Sequence, residues 1–204
     1  MQKRTTCRKH YIALRNELSQ ETVATKSIAI CKKILESPEY NEAQIILAYY
    51  PLGKEVNCLP VLEDALRCGK RVMLPRTAKD CQMDFYEVHD FSDVEEGTFH
   101  VMEPKAYCDR FEPSDIMTLL DKIKQESLSV LEVLVLVPGV VFDCQGNRYG
   151  YGKGYYDRYF ARFPQFKRIA LAYTEQVSIE PLECLETDVK MHVIVTESEM
   201  LQIV

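Results

Sequence analysis

The chain lacks what several function classes require. No apolar run is long enough to cross a bilayer, and no apolar leader core lies near the N-terminus. Membrane-spanning and secreted classes are therefore set aside. None of the eight cysteines (Cys7, Cys31, Cys58, Cys68, Cys81, Cys108, Cys144 and Cys184) stands in a CxxC pair. That removes a zinc cluster or a redox dithiol and points to a reduced, cytoplasmic setting. The cysteines then read as small core or surface residues. Only four histidines occur, His10, His89, His100 and His192, and no pair has metal-ligand spacing. There is no nucleophile elbow for Ser-His-Asp hydrolysis. Repeats, low-complexity runs and acidic tails are missing. Positive charge is not in excess: Lys plus Arg number 25 against 31 Asp plus Glu, a formal net charge of -6. No general nucleic-acid binder or partner of acidic membranes is expected, although a local basic pocket is compatible with this balance. A length of 204 residues suits one domain, 1–204, with a core large enough to dispense with disulfides or structural metal.

What is present is concentrated between Leu131 and Phe163, which reads LEVLVLVPGVVFDCQGNRYGYGKGYYDRYFARF. Val133 to Val137 is a short run of branched apolar residues, as in a parallel strand covered on both faces. Pro138 and Gly139 end it. Asp143, Gly146, Asn147 and Arg148 follow in a loop. Gly150, Gly152 and Gly154 then alternate with Tyr151 and Lys153, and Tyr155, Tyr156 and Asp157 lead into a helical pattern over Tyr156 to Phe163. A buried strand feeding a glycine-rich basic loop and then a helix start makes an anion site, because first-turn N–H groups point outward and small residues admit the ligand. Neither common phosphate motif fits: the dinucleotide fingerprint meets Tyr155 at its third glycine, and the P-loop meets Asn147 and Gly154. Glycines alone would mark only a tight turn. Arg148, Lys153 and Asp157 around them favour a functional site.

Upstream, residues 3 to 17 form a helix with Tyr11, Leu14 and Leu18 on one side and Arg4, Arg8, Lys9 and Arg15 on others. Composition alone makes those cations a solvated face. Ser19 caps a second helix running to about Leu35, which Ser37-Pro38 ends. Strand 45–50, a helix over 58–68 with Asn57 as its cap, and strand 71–75 form a βαβ unit. Glu55 and Arg76 sit just past strand ends, where open α/β sheets place ligands, with Tyr50 beside them. Residues 79 to 114 are irregular, with Met83 to Val88 as an edge strand and a long loop suited to a pocket wall. A helix is expected over 115–126 with Ser114 as its cap. Strand 169–173 and strand 193–196 follow, with Glu197 opening a terminal helical turn.

The string GNRYGYGKGYYDRY after VLVPGVVFD resembles the signature of the 5-formyltetrahydrofolate cyclo-ligase family, and the resemblance extends over nearly the whole chain. It implies an enzyme that uses ATP and Mg²⁺ to close 5-formyltetrahydrofolate to 5,10-methenyltetrahydrofolate. ATP phosphorylates the formyl oxygen, N10 attacks the activated carbon, and phosphate departs. It also implies a three-layer α/β/α fold with a mainly parallel central sheet, in a monomer. The family opens with Lys-x-x-Leu-Arg, whose lysine approaches the nucleotide phosphates; the match here is Arg4-Thr5-Thr6-Cys7-Arg8, a guanidinium fork in place of an ammonium. The resemblance assigns ATP or its phosphates to Arg4, Arg8, Arg148, Gly150, Tyr151, Gly152, Lys153, Gly154 and Tyr155. Folate falls to Tyr50, Glu55, Arg76, Met83, Met102, Glu103 and Tyr156, with Tyr155 or Tyr156 facing the formyl group. Lys153, Arg148, Tyr155 and Tyr156 carry the chemistry, and Asp157 and Asp188 hold Mg²⁺. One departure stands out: His192 occupies the position of a second family aspartate, and reads as a packed, hydrogen-bonded histidine.

Two other classes remain open on the residues: a nucleotide- or phosphate-sensing module with a decayed site, and a sugar-phosphate isomerase or CoA-transferase-like enzyme. The unbroken block from Gly150 to Asp157 argues against both.

Overall fold

A computed structural model of the chain describes residues 2–97, 100–112 and 132–203. The helix expected over 115–126, with its Ser114 cap, lies outside the described residues. Two helices open the chain, α1 (Gln2–Glu17) and α2 (Gln20–Leu35), and Ser19 caps α2 by accepting a hydrogen bond from Thr22 N. Ser37 starts the short α3 (Pro38–Glu42) in the same way, through Tyr40 N. Then come β1 (Ala43–Leu47), α4 (Leu59–Arg67), β2 (Arg71–Thr77) and β3 (Met83–Val88). A two-stranded ribbon, β4 (Val94–Glu96) with β5 (Met102–Pro104), lies in the stretch that reads as irregular. Beyond it run β6 (Glu132–Val137), β7 (Val141–Asp143), β8 (Arg148–Tyr149), α5 (Tyr155–Arg162), β9 (Lys167–Leu171), β10 (Val177–Ser178), β11 (Val193–Val195) and β12 (Met200–Gln202).

Seven strands form the main sheet in the order β12-β11-β9-β6-β1-β2-β3. The inner pairs are parallel, and both edge pairs, β2 with β3 and β11 with β12, are antiparallel. Strand β6 shows why the sheet lies between two layers. Leu134 and Leu136 enter the apolar cluster shared with α2, α3 and α4, whereas Val133, Val135 and Val137 enter the one shared with α5. Alternate side chains leave a strand on opposite faces, so a run with no polar residue must be covered twice. The fold is therefore the expected α/β/α sandwich around a mainly parallel sheet. None of the described helices is long and apolar enough to cross a membrane.

Local expectations fail where strands are very short. Strand β1 ends at Leu47, so Tyr49 and Tyr50 leave the sheet. The helical turn expected after Glu197 is a hairpin into β12: the Thr196 hydroxyl accepts from Ser198 N and Glu199 N and so turns the chain back. The N-cap of α4 is Cys58, and Asn57 Oδ1 takes the N–H of Leu59.

The histidine that departs from the family pattern sits at the start of β11. Its Nδ1 accepts from Arg168 N at 3.0 Å, and Nε2 lies 2.9 Å from Arg168 Nη2. Both neighbours are donors, and a neutral imidazole offers one acceptor nitrogen, so only one of the two contacts is a hydrogen bond. Burial, then Arg168 and Lys167, push the His192 imidazole down to about 4. Because the folded value lies below the ordinary 6.5, this stabilising contribution is whole above 6.5 and is lost as pH falls through about 4. His192→Asp puts an acceptor-only carboxylate against both donors. It is expected to melt at or above the wild-type temperature at pH 7 and to lose less between pH 7 and pH 5, as read by thermal unfolding at the two pH values.

Candidate functional site

A cavity of about 1090 Å³ opens beyond the carboxyl ends of β1, β2 and β6. It is lined by Tyr49 and Tyr50 after β1, Pro75 and Thr77 of β2, and Pro138 and Gly139 after β6. This is the switch point of the sheet, where neighbours on the two sides of β1 are reached in opposite directions.

The glycine loop is held in place before any ligand arrives. Asp143, 1 % exposed, accepts from the backbone N–H groups of Gln145, Asn147 and Leu182 and from Asn147 Nδ2. That knot ties β7 to β8, which with β10 form a small three-stranded sheet that the sequence reading leaves as loop. Gly152 adopts φ +95°, with the Arg8 guanidinium 3.5 Å from where a Cβ would stand. Gly154 is the N-cap of α5 in the left-handed region and offers no side-chain cap, so the first N–H groups of α5 keep their capacity for a ligand. Arg158, one turn on, binds the carbonyls of Cys81 and Lys153 and so pins the loop from below.

Charge in the cavity is paired. Arg148 Nη2 lies 3.2 Å from Asp157 Oδ1, which also accepts from Val189 N. Arg4 Nη2 is 3.0 Å from Asp188 Oδ2, and Arg4 stacks over the Tyr149 ring with its guanidinium carbon 4.4 Å from the centroid. Arg8 covers the same ring at 5.3 Å and donates to Gly150 O at 2.8 Å. Burial, then the neighbouring Arg4, push the Arg8 guanidinium down, and Tyr149 and Asp188 oppose that. No described residue pairs with the exposed Lys153 side chain, which faces the cavity.

Glu55 is 7 % exposed and accepts from Leu52 N and from the Tyr151 hydroxyl. Burial pushes its carboxyl up, and Leu52 N–H, Arg15 and Tyr151 oppose that. The Tyr156 hydroxyl is buried without a partner, its ring under Arg148; burial, then Glu55, push its phenol up, so it stays a donor. Glu103 lines the cavity but is tied down by Thr77 through both N–H and hydroxyl.

Every site residue chosen from the sequence lines this cavity except Arg76 and Met102. Strand alternation explains both. Pro75 and Thr77 face the cavity, so Arg76 between them leaves on the other side, where it binds Pro104 O and lies over the Tyr86 ring. Glu103 faces in, so Met102 packs on the core behind. The sequence reading missed Arg15, Arg158 and Thr77. A signal for Arg15 existed: positions 4, 8 and 15 fall on one helical face, which also carries Tyr11 and Leu18, and that face is docked.

Comparison with known proteins places the chain by family and fold. The model of the 5-formyltetrahydrofolate cyclo-ligase family matches residues 1–197. A probable 5-formyltetrahydrofolate cyclo-ligase of Caenorhabditis elegans is 30 % identical over 200 residues, covering 92 % of this chain and 89 % of the relative. The 5-formyltetrahydrofolate cyclo-ligase of Mus musculus is 27 % identical, covering 78 % and 77 %. Among solved structures, the 5,10-methenyltetrahydrofolate synthetase of Aquifex aeolicus superposes with a TM-score of 0.78 at 28 % identity, covering 98 % of this chain and 92 % of its own.

Proposed function

The chain belongs to the 5-formyltetrahydrofolate cyclo-ligase family, and from that premise we propose that it closes 5-formyltetrahydrofolate to 5,10-methenyltetrahydrofolate with ATP and Mg²⁺ in the cavity beyond β1, β2 and β6. One observation carries this reading. The glycine loop, the open start of α5 and the cations Arg4, Arg8, Lys153 and Arg158 face the same cavity as the buried acceptor Glu55 and the unpartnered Tyr156 hydroxyl.

The reaction asks for positioning and charge neutralisation rather than a covalent nucleophile. The formyl oxygen attacks the γ-phosphorus of ATP, and ADP leaves. N10 adds to the activated carbon and loses its proton, and the oxygen departs with the phosphoryl group. Lys153 and the loop N–H groups hold the phosphates, with Arg4 and Arg8 behind them. Tyr156 donates to the formyl group, with Tyr155 beside it, and Glu55 accepts from the pterin ring. Met83 and Tyr50 wall the folate. Arg148 orients Asp157 rather than reaching for phosphate itself.

The residues present fit a magnesium ion. Asp157 and Asp188 supply hard oxygens, and the described contacts of Asp157 all fall on Oδ1. Among the described residues no group of three or more His, Cys, Asp or Glu forms a closed metal cage. Mg²⁺ would take the rest of its shell from phosphate and water. When bound it offsets charge on the transferred phosphoryl group.

The test is the methenyl product's absorbance after mixing purified protein with 5-formyltetrahydrofolate, with and without Mg·ATP. Product only with Mg·ATP is expected. Folded protein that yields none ends the proposal.

A further inference from the structure

Arg15 has no part in the reading above, yet it is among the most buried cations described, 5 % exposed in the last turn of α1. Its Nη2 donates to the Tyr151 hydroxyl at 2.5 Å, and Nη1 lies 3.9 Å from Glu55 Oε1 and 3.5 Å from Gly139 O. The Tyr151 hydroxyl in turn lies 3.2 Å from Glu55 Oε1.

With Glu55 ionised, the direction of every proton in this chain of contacts is set. A guanidinium has no acceptor, so the Tyr151 oxygen accepts from Arg15. Its single proton then goes to Glu55 Oε1, which accepts. Leu52 N donates to Glu55 Oε2 at 3.0 Å, so the second oxygen accepts as well. A protonated Glu55 could keep these contacts only by turning Tyr151 into the acceptor of both Arg15 and Glu55, which leaves the phenol proton out of the chain. The carboxylate uses every donor in it.

We propose that Arg15 is a positioning residue that, through Tyr151, fixes Glu55 as an acceptor toward the cavity, so that the site takes a ring edge made of N–H donors. Glu55 contacts the substrate and Arg15 does not. This rests on the reading that Glu55 meets the pterin ring, and it adds what sets the charge of that contact.

The other groups near Glu55 cannot do the same work. Tyr49, Tyr156 and Tyr173 and the Cys58 thiol are all coupled to it, and burial holds each of them neutral. Tyr173 spends its hydroxyl on the Glu55 backbone carbonyl and Ser27. Against a burial that favours the neutral acid act the Leu52 N–H first and then Arg15, which is the cation among them.

The experiment is a pH titration of the Glu55 carboxyl by carbon-13 NMR in protein labelled at glutamate Cδ, with Glu55→Gln assigning the signal. It is run on the wild type, Arg15→Met, Arg15→Lys and Tyr151→Phe. The midpoint is expected to rise by about one pH unit or more in Arg15→Met. Smaller rises are expected in Tyr151→Phe and in Arg15→Lys, which keeps the charge but not the fork. In parallel, the acid limb of kcat/KM for the folate should move toward neutral pH by the same interval, with KM for ATP unchanged in the Arg15 variants. Arg15→Lys should recover most of the loss. A Glu55 midpoint that stays at the wild-type value in folded Arg15→Met overturns the proposal. Should Arg15→Met not fold, an unmoved midpoint in both Arg15→Lys and Tyr151→Phe overturns it equally. A midpoint that rises in a protein without cyclo-ligase activity upholds the relay and ends the functional reading instead.

Discussion

Replacing Asp157 with asparagine is expected to cut the Mg²⁺-dependent rate by roughly a hundredfold, from the loss of a charge-assisted contact of about 3 kcal/mol. On the proposed assignment the change removes a metal oxygen, and it also strands Arg148, whose side chain is 4 % exposed and whose carboxylate partner is Asp157. Stranding a buried guanidinium costs about 3 kcal/mol, the low end for a broken buried pair, since Asp157 itself is 21 % exposed. Asp157→Asn should therefore melt several degrees lower and remain folded at 25 °C. Asp188→Asn strands Arg4 less completely, because Arg4 keeps the Tyr149 ring beneath it. Its loss should fall mainly on the Mg²⁺ midpoint, which excess Mg²⁺ restores in part by mass action. His192→Asn serves as the control, since its ring faces Arg168 and imidazole is a poor ligand for so hard an ion. Initial rates against Mg²⁺ at fixed ATP separate the three. A midpoint moved by His192→Asn and by neither aspartate variant would reject the assignment.

Lys153→Ala is expected to lower kcat/KM for ATP about tenfold to hundredfold, the worth of one charge-assisted phosphate contact of roughly 1.5–3 kcal/mol. The folate KM should scarcely change. Stability should not change either, because Lys153 is exposed and engages no described side chain. Steady-state kinetics with each substrate varied in turn would show the asymmetry. Equal losses on both sides would move Lys153 away from the phosphates.

The parts legible in the sequence were the local ones. Strand β6, the glycine loop and α5 follow one another without a break, and each carries its own periodicity. The βαβ unit of β1, α4 and β2 was legible for the same reason. The rest depended on contacts that periodicity does not encode. Strands β8 and β10 are two residues long, and no alternation can be read from two residues. Arg76 was placed by its nearness to a strand end and Met102 by its match to a family element, and neither says to which face a side chain leaves. For α1 the apolar pattern was read apart from its cations. Arg4, Arg8 and Arg15 share a face with the half-buried Tyr11 and Leu18, and it is their polar contacts that hold that face down.

That docking through cations has a consequence for how the protein opens. Only Arg15 of α1 is buried, and the helix is held by ion pairs and hydrogen bonds to Gly150, Tyr151 and Asp188 rather than by an apolar seam. Such contacts weaken with ionic strength, whereas the apolar clusters on the two faces of the sheet do not. The amide protons of α1 should therefore exchange with solvent well before those of β1 and β6, and faster still in concentrated salt. Gly150 and Tyr151, two of the anchors of α1, belong to the loop proposed to receive the nucleotide. A filled cavity should slow that exchange, so the first helix reports occupancy from the outside of the molecule.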